Sequence, residues 1–443
     1  MDLQRALADP RRYRRQIERL FDRTLFTPAR RAMRQDGVPI EALFDGQRRI
    51  SRLLARAAAG GTYPFEAGRI RRIRVDGKER EVFSFPLTDM IVHAVAAEIV
   101  EEASRPLLSS RLFSYRPGIS WADAVSGFGA YVRRHRKDRR DPKTRGLYVV
   151  RRDIDSYTDS IPVGPASPLW EMLTGLFRGA RTAVPCPGWS TMVEVVRPLV
   201  EWPDGGRGRL VRGVATGQPI SCVLFNVYLH GLDRRLESIT GGFYARYSDD
   251  ILFAHADPAR AREAAAVLEE ETARLGLKLK AEKGRDVFLN QAARPAPGPG
   301  GFAGSASVPF LGTDVGADGT IGLGREAARS LLRDLTDRAE RTAGAAGAVP
   351  LDEKGRAVCS VLNRALHPDP VPLRQKSTDI LRRLATNRPQ LRHLDFLMAL
   401  IAIRAATGIS GPRAFRTVPY ARVRRAWGLR SLLHDRNRGA RRS

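Results

Sequence analysis

Apolar and polar positions change their spacing several times along the 443-residue chain, and each change marks an element. Residues 1–60 carry apolar positions at helical spacing, with Ile17, Leu20, Phe21 and Leu25 on one stripe among basic residues. In TYPFEAGRIRRIRVDGKEREVFSFP (62–86) the spacing shortens, and VDGK is a hairpin signal, so two strands around a turn are expected. A helix follows over about 87–105, and RGLYVVRRDIDSY (145–157) reads as a strand that ends in acids. Residues 163–200 read as helical, with the turn CPGW inside, and EWPDGGRGRL (201–210) reads as a turn between short strands. PISCVLFNVYLHGLDRRLESI (219–239) predicts one long helix, and YARYSDDILF (244–253) predicts two strands meeting at Asp249 and Asp250. Another helix spans about 258–275. ARPAPGPGGFAGSAS (293–307) is low in complexity and predicts a flexible loop, with VPFLGTDV after it as a short strand. From about 325 the pattern is helical and strongly basic, and the tail RNRGARRS has the composition of a disordered end. No internal repeat is visible.

Charge adds a partner to this picture. Lys and Arg number 75 against 48 Asp and Glu, a formal net charge of +27. A surface that basic attracts polyanions, and nucleic acid is the commonest. A genome rich in G and C explains a preference for Arg over Lys, but not the excess of bases over acids. The length suits two to three domains, and 43% hydrophobic residues suffice for a sizeable core. The three cysteines, Cys186, Cys222 and Cys359, are far apart and form no zinc pattern, and the seven histidines show no metal-ligand spacing. A sparse, odd cysteine count fits a reducing cytoplasm. The N-terminus is charged throughout, without a signal-peptide core, and apolar runs such as FLMALIAI (396–403) are too short to span a bilayer. A cytoplasmic protein that does not engage a membrane is expected.

Acids stand at two strand ends: Asp153 in RRDIDSYTDSI, and Asp249 with Asp250 at the hairpin tip. Neighbouring strands can bring such acids together, and the cluster would repel itself unless a cation sat among its members. Mg²⁺ takes oxygen ligands and is commonly held by one or two carboxylates plus substrate phosphates. Two such ions can activate a 3′-hydroxyl and stabilise departing pyrophosphate. For a lone Asp-Asp pair the ordinary alternative is a surface turn.

The surrounding motifs resemble those of bacterial reverse transcriptases of the retron, group II intron and defence-associated clade. GKEREVFSFPLTDMIVHAV is similar to the fingers segment, and RLFSYRPGISWADAV, with Arg116, Pro117 and Gly118, to the family's FRPG segment. DIDSYTDSI resembles the first palm motif, and GVATGQPISCVLFNVYL the Gly-rich turn and palm helix. YSDD matches the two-aspartate hairpin, LGLKLKAEK the motif that ends in a lysine, and FLG (Phe310, Leu311, Gly312) the primer grip. Seven motifs run in order over about 250 residues.

The resemblance implies an α+β right-hand polymerase with fingers, a palm of antiparallel sheet plus helices, and a helical thumb. Residues 1–60 become a basic N-terminal extension, 61–319 fingers and palm, and 320–443 the thumb and C-terminal region. Asp153 and Asp249 would ligate two Mg²⁺ ions (or Mn²⁺), helped by the Ile154 carbonyl, with Asp250 the third carboxylate. Lys283 would stand near the pyrophosphate as a general acid. Lys78, Arg80, Asp155, Tyr157, Thr158, Thr216, Gly217 and Gln218 would surround the incoming nucleotide. Arg116 and the primer grip would meet nucleic acid, as would Arg325, Arg329 and Arg333, which share a helix face by their spacing. A solvated basic face is the plain alternative for these lysines and arginines. The sequence departs from the family at two places near the sugar. Thr158 stands where Phe or Tyr usually blocks a ribose 2′-OH, and Ala215-Thr216-Gly217 replaces Pro-Gln-Gly, with Gln218 displaced.

The expected activity is RNA-directed DNA polymerisation from dNTPs, with an RNA template and a DNA or protein primer. No nuclease, integrase or zinc motif accompanies the polymerase motifs. That favours a retron-like or antiphage defence role with a noncoding RNA template. The alternatives are an untemplated or repeat-making nucleotidyltransferase on the same fold, and a catalytically silent RNA-binding scaffold. A basic thumb suits a duplex, a second copy or a partner protein equally.

Overall fold

Helices α1 (Leu3–Leu7), α2 (Pro10–Asp22), α3 (Ile40–Asp45) and α4 (Gln47–Ala59) open the chain, followed by the hairpin β1 (Arg69–Val75) and β2 (Lys78–Ser84). The computed structural model describes residues 3–22, 39–66, 69–75, 78–138, 146–178, 212–214, 216–290, 301–366 and 376–434. After β2 come α5 (Leu87–Ser104), α6 (Trp121–Asp138), β3 (Leu147–Asp153) and α7 (Pro168–Arg178). Then follow α8 (Pro219–Tyr228), α9 (His230–Glu237), the hairpin β4 (Phe243–Tyr247) and β5 (Asp250–His255), and α10 (Pro258–Arg274). Strands β6 (Arg285–Leu289), β7 (Ala303–Ser305), β8 (Ser307–Phe310), β9 (Thr313–Gly316) and β10 (Ile321–Leu323) lead into α11 (Arg325–Ala345), α12 (Leu351–Leu366) and α13 (Arg388–Thr407). The sheets have the orders β1-β2, β4-β5-β3-β6-β7 and β10-β9-β8.

The chain divides into two compact units. The first holds residues 1–119, 151–251 and 262–284, and the second 120–150, 252–261 and 285–443. In the first unit, α5 (LTDMIVHAVAAEIVEEAS) is apolar on most sides and is buried along most of its length, as a helix packed from several directions must be. It packs against α2 and α8. Tyr13 and Ile17 of α2 are fully buried, and Arg12 pairs with Glu98 and Glu102 of α5 at 2.8 and 2.9 Å. Phe21 stacks on Phe44 with ring centroids 4.1 Å apart. In the second unit, α11, α12 and α13 surround one core that includes Leu331, Leu335, Val358, Leu362 and Met398. Trp427 enters that core where Gly355 leaves room, since a Cβ there would lie 2.2 Å from the indole. Among the described residues no helix is long and apolar enough to cross a membrane.

Four expectations need correction. The helix expected over 219–239 breaks at Leu229 (φ −101°, ψ 7°), dividing α8 from α9. The apolar periodicity runs across this one-residue break and does not register it. The strand expected over 145–157 ends at Asp153. Ser156 is left-handed (φ 44°, ψ 44°), and Tyr157–Ser160 form a helical turn. VPFLGTDV is not one strand but the hairpin β8–β9, with Leu311 (φ 50°) and Gly312 (φ 81°) as its two-residue turn. Part of the loop expected over 293–307 is strand, because Ala303–Ser305 pair in parallel with Val287–Leu289. Leu25, CPGW, EWPDGGRGRL, Ala215, residues 293–300 and the tail RNRGARRS lie outside the described residues.

Candidate active site

All three aspartates of the site belong to the first unit, and backbone pairing brings their segments together. Strand β3 delivers Asp153 as its last residue, the β4–β5 turn delivers Asp249, and β5 delivers Asp250 as its first residue. Ser248 turns that corner in the left-handed region (φ 57°). The Ile154 amide donates to the Asp249 carbonyl at 3.2 Å, which joins the two acidic segments directly. On the other side, the Asp155 amide donates to the Lys278 carbonyl at 2.7 Å and the Lys280 amide to the Asp153 carbonyl at 2.8 Å. LKLK (277–280) is therefore a strand-like neighbour of the first acidic motif, with Ile154 opposite Leu279.

The hairpin is braced from beneath. Arg246 is fully buried, and its guanidinium donates to both carboxylate oxygens of Asp233 on α9, at 2.6 and 2.7 Å. It also reaches the carbonyls of Ser248 (3.2 Å) and Asn226 (3.3 Å), tying the turn to α8. Residues 111–113 flank β4, with the Phe113 amide donating to the Arg246 carbonyl at 2.9 Å and the Arg246 amide to that of Arg111 at 3.0 Å. Ser114 donates to Asn226 Oδ1 at 3.0 Å, and Asn226 Nδ2 donates to the Ser114 carbonyl at 2.9 Å.

The charges are compensated unevenly. Asp153 is 4% exposed, and Lys280 Nζ lies 2.8 Å from its Oδ1. Burial alone would lower the Lys280 pKa, but the hydrogen bond to Asp153 and the charges of Asp153, Asp249 and Asp155 outweigh it and raise the pKa. Asp250 takes a two-pronged pair from Arg151, with Nε to Oδ1 at 3.0 Å and Nη2 to Oδ2 at 2.8 Å. Burial pushes the Asp249 carboxyl above the usual carboxylate range, and the charge of Asp153 adds to the push.

Among the described residues no group of three His, Cys, Asp or Glu side chains is arranged to hold an ion alone. Asp250 is turned to Arg151, which leaves Asp153 and Asp249 with the Ile154 carbonyl. Buried Asp153 and half-buried Asp249, which repel each other, form an oxygen-only donor set suited to a hard dication that completes its shell with phosphate and water. The residues fit Mg²⁺ or Mn²⁺ in that partial sense.

The other expected site residues fall into several places. Gly213 and Val214 run beside the first motif. The Gly213 amide donates to the Ile161 carbonyl and the Val214 amide to the Thr158 carbonyl, both at 2.8 Å. Thr216 accepts from the Phe83 amide of β2 at 2.8 Å, and Gly217 (φ 105°) sits so close that a Cβ would lie 2.6 Å from the Phe83 carbonyl. Gln218 is buried at the start of α8. Thr158 is half-buried, and Asp155 is exposed. Tyr157 is 3% exposed and donates to the Phe225 carbonyl at 2.6 Å, so its ring supports the turn from below. Lys78 and Arg80 stand opposite Val75 and Ile73 in the β1–β2 ladder, and Lys283 ends a short 3₁₀ turn. Half-buried Arg116 donates to the carbonyls of Ser109 and Leu112. In the second unit, Phe310 is fully buried with its ring edge-on to Phe128, and Leu311 and Gly312 form the β8–β9 turn. Arg325, Arg329 and Arg333 are exposed along α11.

Arg151, Lys280 and Arg246 escape the reading of the sequence. The one local signal was alternation: in β3, Arg151 and Asp153 share a face, two residues apart.

The reverse transcriptase (RNA-dependent DNA polymerase) family model matches residues 91–315, just over half of the 443-residue chain. No curated protein matches. Among solved structures, apo telomerase from Candida tropicalis, truncated from its C-terminal domain, aligns with TM-score 0.42 and 14% identity over 58% of this chain and 55% of that one. Telomerase from Candida albicans in complex with a telomeric RNA fragment aligns with TM-score 0.42 and 12% identity over 83% of this chain and 64% of that one. The chain thus spans between about half and two-thirds of the length of these structures. On the family match, the chain belongs to the reverse transcriptase family and has its right-hand polymerase fold.

Proposed function

We propose that this chain is an RNA-directed DNA polymerase that extends a primer by two-metal nucleotidyl transfer. The observation that carries the reading is the union of Asp153 and Asp249 through the Ile154–Asp249 backbone hydrogen bond, inside a chain of this family. When bound, Mg²⁺ would lower the pKa of the primer hydroxyl and neutralise charge on the transferring phosphoryl group. Asp153, Asp249 and the Ile154 carbonyl would hold it. The chain's own contribution is positional. The Arg246–Asp233 brace fixes the hairpin tip, Arg151 holds Asp250, and the Val214 amide holds the Thr158 carbonyl.

We place the protein with the retron, group II intron-like and defence-associated enzymes on its seven ordered motifs, with a noncoding RNA as template and antiphage defence as its setting. Basic charge of +27 supports the nucleic-acid partner. Primer extension with dNTPs, with and without an RNA template, is the test. Template-dependent DNA synthesis by the wild type, lost in a folded Asp249→Asn variant, is expected. Synthesis without template would favour the untemplated transferase, and no synthesis under either condition would favour the silent scaffold. A single structured RNA recovered with the purified protein would support a dedicated template, and heterogeneous RNA would oppose it.

A further inference from the structure

Lys280 is bound to Asp153 twice: its amide donates to the Asp153 carbonyl and its ammonium sits on Oδ1, both at 2.8 Å. The backbone bond fixes where the side chain starts, while the four-carbon stem leaves the ammonium free to move. The Lys280 side chain is 27% exposed against 6% for that of Asp153, so it has a path to solvent that the carboxylate lacks. Arg151 contrasts with it, being held at both prongs and only 15% exposed. A dication on Asp153 would bind at roughly 2.0–2.1 Å from a carboxylate oxygen. An ammonium already on that carboxylate would be forced against the ion by like-charge repulsion.

We propose that Lys280 is an internal counter-cation that occupies Asp153 in the metal-free enzyme and must swing away for the ion to bind, so that it sets the metal affinity of the site. The proposal rests on the polymerase reading above, in which Asp153 is a metal ligand. Without Lys280, the metal-free state keeps Asp153 and Asp249 close together with less compensation. A divalent ion then gains more on binding and displaces nothing. Lys280 is a positioning residue by this account.

The test is Mn²⁺ binding to the full chain without nucleotide or nucleic acid, followed by free-Mn²⁺ electron paramagnetic resonance at mildly alkaline pH. Asp153→Asn defines which binding belongs to the site. Lys280→Met should tighten the Asp153-dependent Mn²⁺ affinity about tenfold, and Lys280→Arg should remain near wild type. Thermal melting gives an independent readout: metal-free Lys280→Met should melt below wild type and recover more than wild type when Mn²⁺ is added. Lys280→Gln, which removes the charge but keeps a donor, is measured alongside and should also bind more tightly. Unchanged or weaker affinity in the neutral variants overturns the proposal while leaving the polymerase reading intact. Absence of Asp153-dependent Mn²⁺ binding in every variant overturns both.

Discussion

Asp249 and Asp250 are neighbours in sequence that face opposite electrostatic surroundings. Asp249 is held next to Asp153, whereas Asp250 is spoken for by Arg151. Removing Asp250 therefore strands a largely buried guanidinium. Breaking a fully buried pair costs about 3–5 kcal/mol, and with side chains 15% and 13% exposed the expected loss lies at the lower end. Asp250→Ala should lower stability by that amount in urea denaturation, and adding Arg151→Met should restore much of it. Equal stability of Asp250→Ala and wild type would count against the pair. Composition hid these partners: with 75 basic residues in the chain, only the register of β3 against its neighbours shows that Arg151 and Lys280 meet the acids. The acids themselves were legible, because carboxylates at strand ends are costly without a cation. Thr158 also changes meaning. Tyr157 and Thr158 are neighbours in a helical turn, not in a strand, so strand alternation does not set which way the tyrosine points. Tyr157 is instead held down by its bond to the Phe225 carbonyl and cannot readily supply the missing aromatic wall. Thr158→Phe should then sharpen discrimination against ribonucleotides, read as the ratio of dNTP to NTP incorporation in parallel assays. An unchanged ratio removes Thr158 from the sugar gate.

Elements meet at Gly217, where the turn before α8 touches β2. Its φ of 105° suits glycine, and a Cβ would strike the Phe83 carbonyl at 2.6 Å. Forcing a side chain into such backbone costs about 1–3 kcal/mol before any clash. Gly217→Ala should lose at least that much by urea denaturation, and a wild-type transition would show that the hairpin yields freely. Helices α5 and α8 and the β1–β2 and β4–β5 hairpins were legible, since period and turn chemistry agree in each. The break at Leu229 and the β8–β9 turn were not. In the first, periodicity survives a single non-helical residue. In the second, Leu311 takes a left-handed conformation that its side chain disfavours, so composition pointed to continuous strand.

For the molecule as a whole, the +27 charge predicts nucleic-acid binding that weakens steeply with salt. Each phosphate neutralised on duplex DNA releases roughly 0.9 counterion. Arg325, Arg329 and Arg333 are exposed at four-residue spacing on α11. Replacing all three with Gln should reduce the slope of log affinity against log salt by about 2–3 if each meets a phosphate. An unchanged slope would make that face merely solvated. The threading of the two units has a separate consequence. The backbone passes between them after residues 119, 150, 251, 261 and 284, within or just beyond β3 and β5 at two of these points. Genetic exchange of one whole unit for a relative's would require crossovers at all five places, and a single crossover anywhere along the chain could not separate them.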